Sequence, residues 1–320
     1  MLAALAGGVG AARLLRGLVE VVRPEDVTAV VNTGDDLVVH GLHVSPDLDT
    51  VTYTLAGAVD PGRGWGQASE TWQAMGALER YRPAAPVGSA AASTWFRLGD
   101  RDLATHLFRT QRLAEGATLS EVTAEVTYAW GIGTRLLPMT DSRVETRMQL
   151  AGESEPEIGF QEYFVQRRHS VPVSAIRYAG VESAKPAPGV VEALEEAIAV
   201  VICPSNPLVS IAPILAVPGL RSALARRRDR VVAVSPIVAG AALKGPADRL
   251  LAEMGHEVSV VGVARLYAAL AATVVVDLAD AHLATAVESE GVRCVVTPAV
   301  MHGLPEATAL AEAVLAAAGP

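Results

Sequence analysis

The sequence predicts an α/β protein: a Rossmann-like, doubly wound parallel sheet with a mostly helical inserted subdomain. First, a short apolar run, a glycine turn, an amphipathic stretch and a second apolar run follow one another at the start of the chain. Second, short β-branched runs separated by helical stretches fill the last third. Third, the segment between them lacks this alternation. Because strands that alternate with helices are typical of a parallel sheet, the middle segment is predicted to be an insertion.

The start of the chain is predicted to form a parallel βαβ unit. Leu2 to Ala6 is predicted as the first strand and Val27 to Val31 as the second. Between them, Ala11 to Val22 carries leucines and valines at helical spacing and ends before Pro24. The order of strand, glycine turn, helix and strand is the one that joins two parallel strands.

The last third is predicted to supply further strands of the same sheet. The runs are short and continuous rather than alternating, as expected for strands that are buried on both faces. The predicted strands are Ala199 to Cys203, Val231 to Val234, Val258 to Val261, Thr273 to Val276 and Cys294 to Thr297. The predicted helices are Leu220 to Arg228, Ala247 to Met254, Val263 to Leu270 and Glu306 to Ala318.

The middle segment is predicted to be a cap over the strand ends. Residues 53–177 carry every tryptophan and every phenylalanine of the chain. We therefore divide the chain into a Rossmann-like nucleotide-binding core, residues 1–52 and 178–320, and an inserted cap subdomain, residues 53–177.

Composition narrows the classes of function. The chain has 320 residues, 51% of them hydrophobic, which supports a large core. The net charge of −9 provides no basic footprint for nucleic acid. No run reaches the ~18 apolar residues of a membrane span. Cys203 and Cys294 have no spacing that predicts a disulfide or a zinc site, which favours a reduced cytoplasm.

The glycine turn with Gly7, Gly8 and Gly10 is the first candidate binding element. Free backbone N–H groups at a helix N-terminus favour a phosphate, and the missing side chains let it approach. The alternative is a turn that needs only positive φ angles. Arg13 stands where a dinucleotide fingerprint has glycine or alanine, and this argues against an NAD-dependent dehydrogenase.

The acidic residues after the second strand form the second candidate element. Asp35 should lie at the carboxyl edge of the sheet, where ligands bind in open α/β folds. If Asp49 converges with Asp35, the two carboxylates can hold a hard divalent cation such as magnesium. The alternative is a solvated loop in which Asp47 and Asp49 cap a helix that starts near Thr50.

Two further segments carry candidate binding groups. Arg97 and Arg101 follow two aromatic residues. They either face solvent or pair with a carboxylate or phosphate, beside an aromatic wall for a planar ligand. The PSNP turn follows a predicted strand and contains Ser205 and Asn206. It suits a ribose or a base edge, or it is a rigid turn with a capping side chain.

Taken in order, the motifs resemble the 2-phospho-L-lactate transferase family, the CofD/FbiA type of coenzyme F420 biosynthesis. The actinobacterial, phosphoenolpyruvate transferase-like branch looks closest. The matching segments run from residue 7 to about residue 250. They are GGVGAARLLRGL, VVNTGDD, HGLHVSPDLDT, RGWGQASETW, WFRLGDRDLATHL, LLPMTD, FQEYFV, PSNPLVSIAPIL, VSPIVAG and KGPADRL.

The resemblance implies a magnesium-dependent transfer to Fo, 7,8-didemethyl-8-hydroxy-5-deazariboflavin. The ribityl hydroxyl of Fo attacks the donor phosphate that bears a three-carbon acid, GMP leaves, and coenzyme F420-0 or its dehydro form results. The donor is lactyl-2-diphospho-guanosine or its enolpyruvyl counterpart, and the sequence leaves both open.

The resemblance also assigns residues to roles. Asp35 and Asp49 are implied to be catalytic and to hold Mg²⁺. Asp49 and Arg97 are implied to contact the deazaflavin, with the cap contributing to that site. The guanosine diphosphate portion is assigned to both turns, with Gly7, Gly8, Gly10 and Arg13 in the first and Ser205, Asn206 and Pro207 in the second.

The expected partners are Fo, the guanylylated donor and the guanylyltransferase that makes it, by direct handover. A symmetric homodimer is expected because such dimers are the commonest assemblies, whereas nucleic acid and membranes are not expected. A rival of a different class is a non-catalytic, nucleotide-sugar-binding regulator of the gluconeogenesis-factor type. It would keep the glycine turn but need no deazaflavin wall.

Overall fold

A computed structural model gives the fold and describes residues 1–152 and 157–319. The strands are β1 (Leu2–Ala6), β2 (Val27–Val31), β3 (Leu37–Val39), β4 (Leu42–Val44), β5 (Arg135–Pro138), β6 (Glu145–Leu150), β7 (Ile158–Gly159), β8 (Val173–Ala179), β9 (Ala199–Ile202), β10 (Val231–Val234), β11 (Ile237–Val238), β12 (Ala241–Ala242), β13 (Thr273–Val276) and β14 (Arg293–Val296).

The helices lie between and around these strands. They are α1 (Gly8–Val21), α2 (Pro46–Leu55), α3 (Gln73–Leu78), α4 (Asp102–Ala114), α5 (Leu119–Ala129), α6 (Val190–Glu196), α7 (Ala212–Ala216), α8 (Leu220–Arg226), α9 (Ala247–Glu253), α10 (Val260–Tyr267), α11 (Ala284–Ser289) and α12 (Leu304–Ala317).

Seven parallel strands form the main sheet, in the order β14-β13-β10-β9-β1-β2-β5. From β1 the chain builds outward through β2 to β5 on one side, and from β9 to β14 on the other. The order therefore reverses between β1 and β9. In doubly wound sheets such a switch point opens a crevice at the carboxyl ends of the strands, where ligands bind. The predicted fold class is confirmed.

Helices cover both faces of the sheet because alternate residues of each strand point to opposite sides. On one face, residues such as Leu2 and Ala4 pack with α1, α2 and α12. On the other face, Ala3 and Leu5 pack with α6 to α10. The strands β1, β2, β9, β10 and β13 are buried on both sides, which explains the continuous apolar runs in the sequence.

Two strand assignments differ from the prediction. The predicted strand at Val258 to Val261 is wrong, because Ser259 is the N-cap of α10 and its hydroxyl accepts from the N–H groups of Val261 and Gly262, both at 3.1 Å. A short apolar run fits a buried first helical turn as well as it fits a strand. Strand β5 pairs with β2 in the main sheet although it lies inside the predicted cap.

Outside the main sheet, the segment predicted as the cap contains α3, α4, α5 and strands of a small antiparallel sheet, β7-β6-β8. The boundaries at 52 and 177 remain a prediction, since β5 returns to the core sheet between them. A hairpin of β3 and β4 precedes α2. His40 and Gly41, with φ angles of 52° and 79°, form its turn.

In the described part of the chain, no single helix is long and apolar enough to cross a membrane. One pair, Pro207–Ala216 with Leu220–Arg226, passes that test together by length and composition but is bent by 94°. Both cysteines, Cys203 and Cys294, are free thiols.

Candidate active site

A cavity of about 670 Å³ lies at the switch point between β1 and β9. That volume is in the range of small-molecule sites. Its walls come from the glycine turn, the start of α2, the aromatic segments of the cap, the face of α4, and the turns after β9 and β12. Lining residues assigned from the sequence are Gly7, Gly8, Gly10, Asp35, Asp49, Arg97, Ser205 and Asn206.

The two turns at the floor of the cavity touch each other. The backbone N–H of Gly7 donates to Oγ of Ser205 at 3.2 Å. A Cβ on Gly10 would lie 2.3 Å from the carbonyl oxygen of Pro204, and Gly8 has a φ of 71°. Only glycine therefore fits at position 10, where α1 begins against the turn after β9.

Asn206 orders the second turn and keeps a donor free. Its Oδ1 accepts from the N–H groups of Leu208 and Val209, at 2.9 and 3.3 Å. Its Nδ2 is buried and has no hydrogen-bond partner among the described residues. An unpaired buried donor costs free energy, so this amide is poised for an acceptor on a ligand.

Arg13 and Pro207, which were also assigned to the nucleotide, do not line the cavity. Arg13 donates through Nη1 to the carbonyl oxygen of Met301 at 2.9 Å. Pro207 starts a buried helical turn that extends to Ile211. Their positions give the assignment no direct support, so both roles remain a proposal.

Asp35 and Asp47 lie side by side with little to neutralise them. Nδ2 of Asn32 donates to Oδ2 of Asp47 at 2.9 Å, whereas Oδ1 of Asp35 has no partner in the described chain. Burial, together with the charges of Asp47 and Asp36, raises the pKa of Asp35 well above its ordinary value. Burial also raises the pKa of Asp47 to about 6.

Helix α2 begins earlier than predicted. Its N-cap is Ser45 rather than a residue near Thr50, so Asp47 and Asp49 lie within the first turn and are not caps. Oγ of Ser45 donates to Asp36 at 2.7 Å instead of capping the helix. Burial raises the pKa of Asp36 to about 8, although the Ser45 bond opposes the shift.

Asp49 is held by a buried arginine from the opposite side of the site. Arg109 on α4 pairs with both carboxylate oxygens, Nη1 donating to Oδ2 at 3.2 Å and Nη2 to Oδ1. Arg109 is 3% exposed and Asp49 is 5% exposed. Bidentate pairing fixes the plane of a carboxylate, so α4 determines how Asp49 is presented.

Four other side chains continue this network beside the cavity: Tyr53, Asp102, Thr105 and His106. The hydroxyl of Tyr53 donates to Asp102, and it lies 2.8 Å from Oγ1 of Thr105. Nε2 of His106 lies 3.4 Å from Asp102, and its Nδ1 lies 3.7 Å from Asp49. Burial opposes ionisation of Asp102, but the interactions with His106 and Tyr53 hold its pKa below the ordinary value.

The donor chemistry of the site fits a hard divalent cation. Oδ1 of Asp35 is buried and has no hydrogen-bond partner in the part of the chain that the structure describes, and carboxylate oxygens are the ligands that Mg²⁺ prefers. Within the described residues, Asp49, Asp102 and His106 place ligand atoms within 4.8 Å of one another. Asp35 is not part of that group, and the pairing with Arg109 leaves Asp49 less free to bind a cation.

Aromatic and cationic side chains of the cap form the opposite wall. The guanidinium of Arg63 lies between the rings of Trp65 and Trp72, at 5.1 and 5.0 Å from their centroids. That of Arg97 lies 5.5 Å from the Trp72 ring. Trp95 and Arg97 line the cavity, as the sequence predicts for a planar ligand.

Lys244, which follows β12, closes the rim near the glycine turn. Its ammonium group donates to the carbonyl oxygen of Arg63 at 2.9 Å. A Cβ on Gly64 would lie 2.9 Å from Val9 and 3.2 Å from Nζ of Lys244. The loop that carries Arg63 and Trp65 therefore lies directly over the start of α1.

Sequence reasoning missed Tyr53, Arg109 and Lys244. The sequence did carry a signal for the cavity wall formed by α4. Asp102, His106 and Arg109 are spaced by four and three residues, which places them on one face of a helix. No local signal indicated that this face would meet Asp49.

The comparisons with known proteins agree over nearly the whole chain. The sequence profile of the family described as 2-phospho-L-lactate transferase CofD matches residues 2–300. A phosphoenolpyruvate transferase of Kitasatospora aureofaciens is 45% identical and covers 98% of this chain and 97% of its own. One from Streptomyces griseus is 47% identical, covering 97% and 96%.

A phosphoenolpyruvate transferase of Mycobacterium tuberculosis is 42% identical, with 95% of this chain and 94% of that protein covered. Among solved structures, a UPF0052 family member from Bacillus halodurans superposes with a TM-score of 0.60 at 17% identity, covering 98% of both chains. At that identity the structural likeness shows the fold alone.

Proposed function

Since this chain belongs to the 2-phospho-L-lactate transferase family, which makes it a transferase of coenzyme F420 biosynthesis, we propose that it charges the deazaflavin Fo. The phosphoenolpyruvyl or 2-phospho-L-lactyl group moves from its guanosine diphosphate-linked donor to the ribityl hydroxyl of Fo. The relatives' printed name favours the phosphoenolpyruvyl donor. One cavity with an anion-binding turn, an acidic floor and an aromatic wall carries this proposal.

The donor is placed at the two touching turns. Gly7, Gly8 and Gly10 lack side chains and so let the diphosphate approach the N-terminus of α1, while the N–H of Gly7 itself stays bonded to Ser205. Ser205 and the unpaired amide of Asn206 face the nucleoside. Arg13 and Pro207 support these turns from outside the cavity.

The acceptor is placed between the aromatic wall and Asp49. Trp95 and Arg97 contact the planar ring system, and Asp49 accepts a hydrogen bond from the ribityl hydroxyl. Arg109 balances the charge of Asp49 and fixes its direction. This holds the hydroxyl oxygen near the donor phosphorus, and such positioning is worth about 7–11 kcal/mol in favourable cases.

The transfer forms one bond and breaks one. The hydroxyl oxygen bonds to the phosphorus that bears the three-carbon acid, the bridge between the two phosphorus atoms breaks, and GMP leaves with the bonding pair. The hydroxyl proton passes to a carboxylate of the acidic floor. Mg²⁺, which Asp35 and Asp49 would hold, neutralises charge on the phosphoryl oxygens when bound.

The proposal extends to the setting of the enzyme. We place it in the cytoplasm as a homodimer that receives its donor directly from the guanylyltransferase that makes it. The aqueous instability of such a donor motivates the handover.

Equilibrium binding tests the proposal and separates it from a nucleotide-binding regulator. Titration of the protein into Fo, followed by deazaflavin fluorescence, should show saturable binding, and calorimetry should show binding of GDP with Mg²⁺.

Arg97→Ala should weaken Fo binding by about 10-fold, equivalent to 1.4 kcal/mol of cation–aromatic and packing contacts, and leave GDP binding unchanged. Arg101→Ala is the matched control, because Arg101 bonds to the carbonyl oxygen of Ala68. GDP binding without Fo binding would favour the regulator.

A further inference from the structure

Asp47 lies beside the glycine turn that is proposed to hold the donor diphosphate. A Cβ on Gly7 would lie 2.9 Å from Oδ2 of Asp47, and one on Gly8 would lie 3.8 Å from Oδ1. Asp47 is only 7% exposed and it lines the cavity. A diphosphate bound to the N–H groups of this turn would therefore meet a buried carboxylate.

Asp47 has no ion-pair partner among the described residues. In the described ranges, no lysine, arginine or histidine nitrogen forms an ion pair with Asp47 or Asp35, whereas Asp49 has Arg109. Asp47 accepts hydrogen bonds from the amide of Asn32 and from the backbone N–H of Gly8, both of them neutral donors. Asp35, 5% exposed and lining the same cavity, keeps one oxygen, Oδ1, that has no hydrogen-bond partner among the described residues. Two such carboxylates beside an anion-binding turn would repel a diphosphate.

We infer that Asp47 is a further ligand of the divalent cation, beside Asp35. The bound cation would allow the donor diphosphate to bind at the glycine turn. The inference rests on the proposed function. Carboxylate oxygens and phosphate oxygens are both ligands of a hard cation. With the cation bound, the acidic floor and the diphosphate share it instead of repelling each other.

Metal and nucleotide should then bind with strong positive coupling, and Asp47 should carry much of it. Coupling between two ligands is reciprocal, and factors of about 5–150 are typical. Removing the charge of Asp47 has two effects: the metal-free turn repels the diphosphate less, and the metal-bound turn holds the cation less well. Both effects reduce the coupling free energy between metal binding and nucleotide binding.

Calorimetric titration of GDP, with Mg²⁺ and with EDTA, measures this coupling. Mg²⁺ should tighten GDP binding to the unaltered protein by about 10-fold or more, and to Asp47→Asn by less than about 3-fold. Asp36→Asn is the matched control: Asp36 is a neighbouring carboxylate that bonds to Ser45 and does not line the cavity. It should keep the full coupling. If Asp47→Asn fails to fold by circular dichroism, Asp47→Ser replaces it.

Titration of Mn²⁺ alone, followed by electron paramagnetic resonance, provides a second readout. Asp47→Asn should weaken Mn²⁺ binding by about 10-fold and Asp36→Asn by less than about 3-fold, as expected for loss of a ligand or of its orientation. Full metal–nucleotide coupling in Asp47→Asn, or unchanged Mn²⁺ affinity, would overturn the inference. Absence of GDP binding to the unaltered protein would overturn the proposed function, and the Mn²⁺ titration would still decide whether Asp47 is a ligand.

Discussion

The carboxylate of Asp49 and the guanidinium of Arg109 form a buried, bidentate pair across the cavity wall. Such a pair gains attraction in a low dielectric but loses hydration, so its net contribution to stability is small. Removing one partner is different, because the other charge stays buried without compensation. The pair therefore makes Asp49 both a candidate functional group and a structural one.

Asp49→Asn should test both roles. Turnover should fall by about 100-fold or more, because the acceptor hydroxyl loses its oriented partner. Stability should also fall, by up to about 3–5 kcal/mol, because Arg109 loses its counter-charge. Urea denaturation gives the second quantity, and assays are normalised to the folded fraction. Turnover within about 3-fold of the unaltered protein would remove Asp49 from the mechanism.

His43 should make the protein less stable in mild acid. Burial, and then the charges of Arg143 and Arg109, lower the pKa of His43 below its ordinary 6.5. A lowered pKa in the folded state means that the unfolded chain binds the proton more readily. This stability is present above about pH 6.5 and is lost as the pH falls through the folded-state value.

His43→Gln removes that proton-binding difference. The unfolding free energy of the variant should therefore decline less between pH 7 and pH 5 than that of the unaltered protein, when both are followed by urea denaturation in EDTA. Parallel pH profiles would show that His43 does not titrate differently on folding.

Several residues that the sequence assigned to a site line the cavity, whereas the side chains that pair with them were not predicted. Gly7, Gly8, Asp35, Asp49 and Arg97 line the cavity, because each follows a strand end or lies in the aromatic segment. Their positions could be predicted since parallel strands end at one edge. The partner of Asp49 lies sixty residues further along the chain, on a helix whose docking depends on tertiary packing.

Among the elements, the contact between the start of α1 and the turn after β9 depends on glycine. Gly10→Ala should bring a methyl group into the carbonyl oxygen of Pro204 and destabilise the fold by about 1–3 kcal/mol, as overpacking does. Thermal denaturation followed by circular dichroism measures the change.

Gly76→Ala is the matched control for that substitution. Gly76 lies in α3 and a Cβ there meets nothing within 4 Å. The substitution should raise stability by about 0.5–1 kcal/mol, because alanine favours helix. A neutral Gly10→Ala would show that the two turns do not touch as described.

The pattern of apolar residues predicted those strands whose formation depends on their own sequence. Strands β1, β2, β10 and β13 match their predicted bounds, because each is a β-branched or apolar run between breakers. Strand β5 was missed, since its only distinction is pairing with β2, more than a hundred residues away. The β3–β4 hairpin was also missed; His40 and Gly41 at positive φ gave a weaker signal than Asn-Gly would have done.

For the whole molecule, the order of strands decides where chemistry can occur. The reversal between β1 and β9 opens a crevice, and residues of the segment predicted as the cap line it. The net charge of −9 does not exclude the proposed anionic donor, because local N–H groups and Lys244 act at short range. The account therefore depends on both substrates meeting in this single cavity.

One measurement tests that claim most directly. The purified protein is incubated with the guanosine diphosphate-linked phosphoenolpyruvyl donor, Fo and Mg²⁺, and the products are separated by anion exchange and identified by mass spectrometry. GMP and a deazaflavin bearing the phosphoenolpyruvyl group should appear in equal amounts, and neither should form without Fo. Release of GMP with no change in Fo, or no reaction at all with a folded and GDP-binding protein, would contradict it.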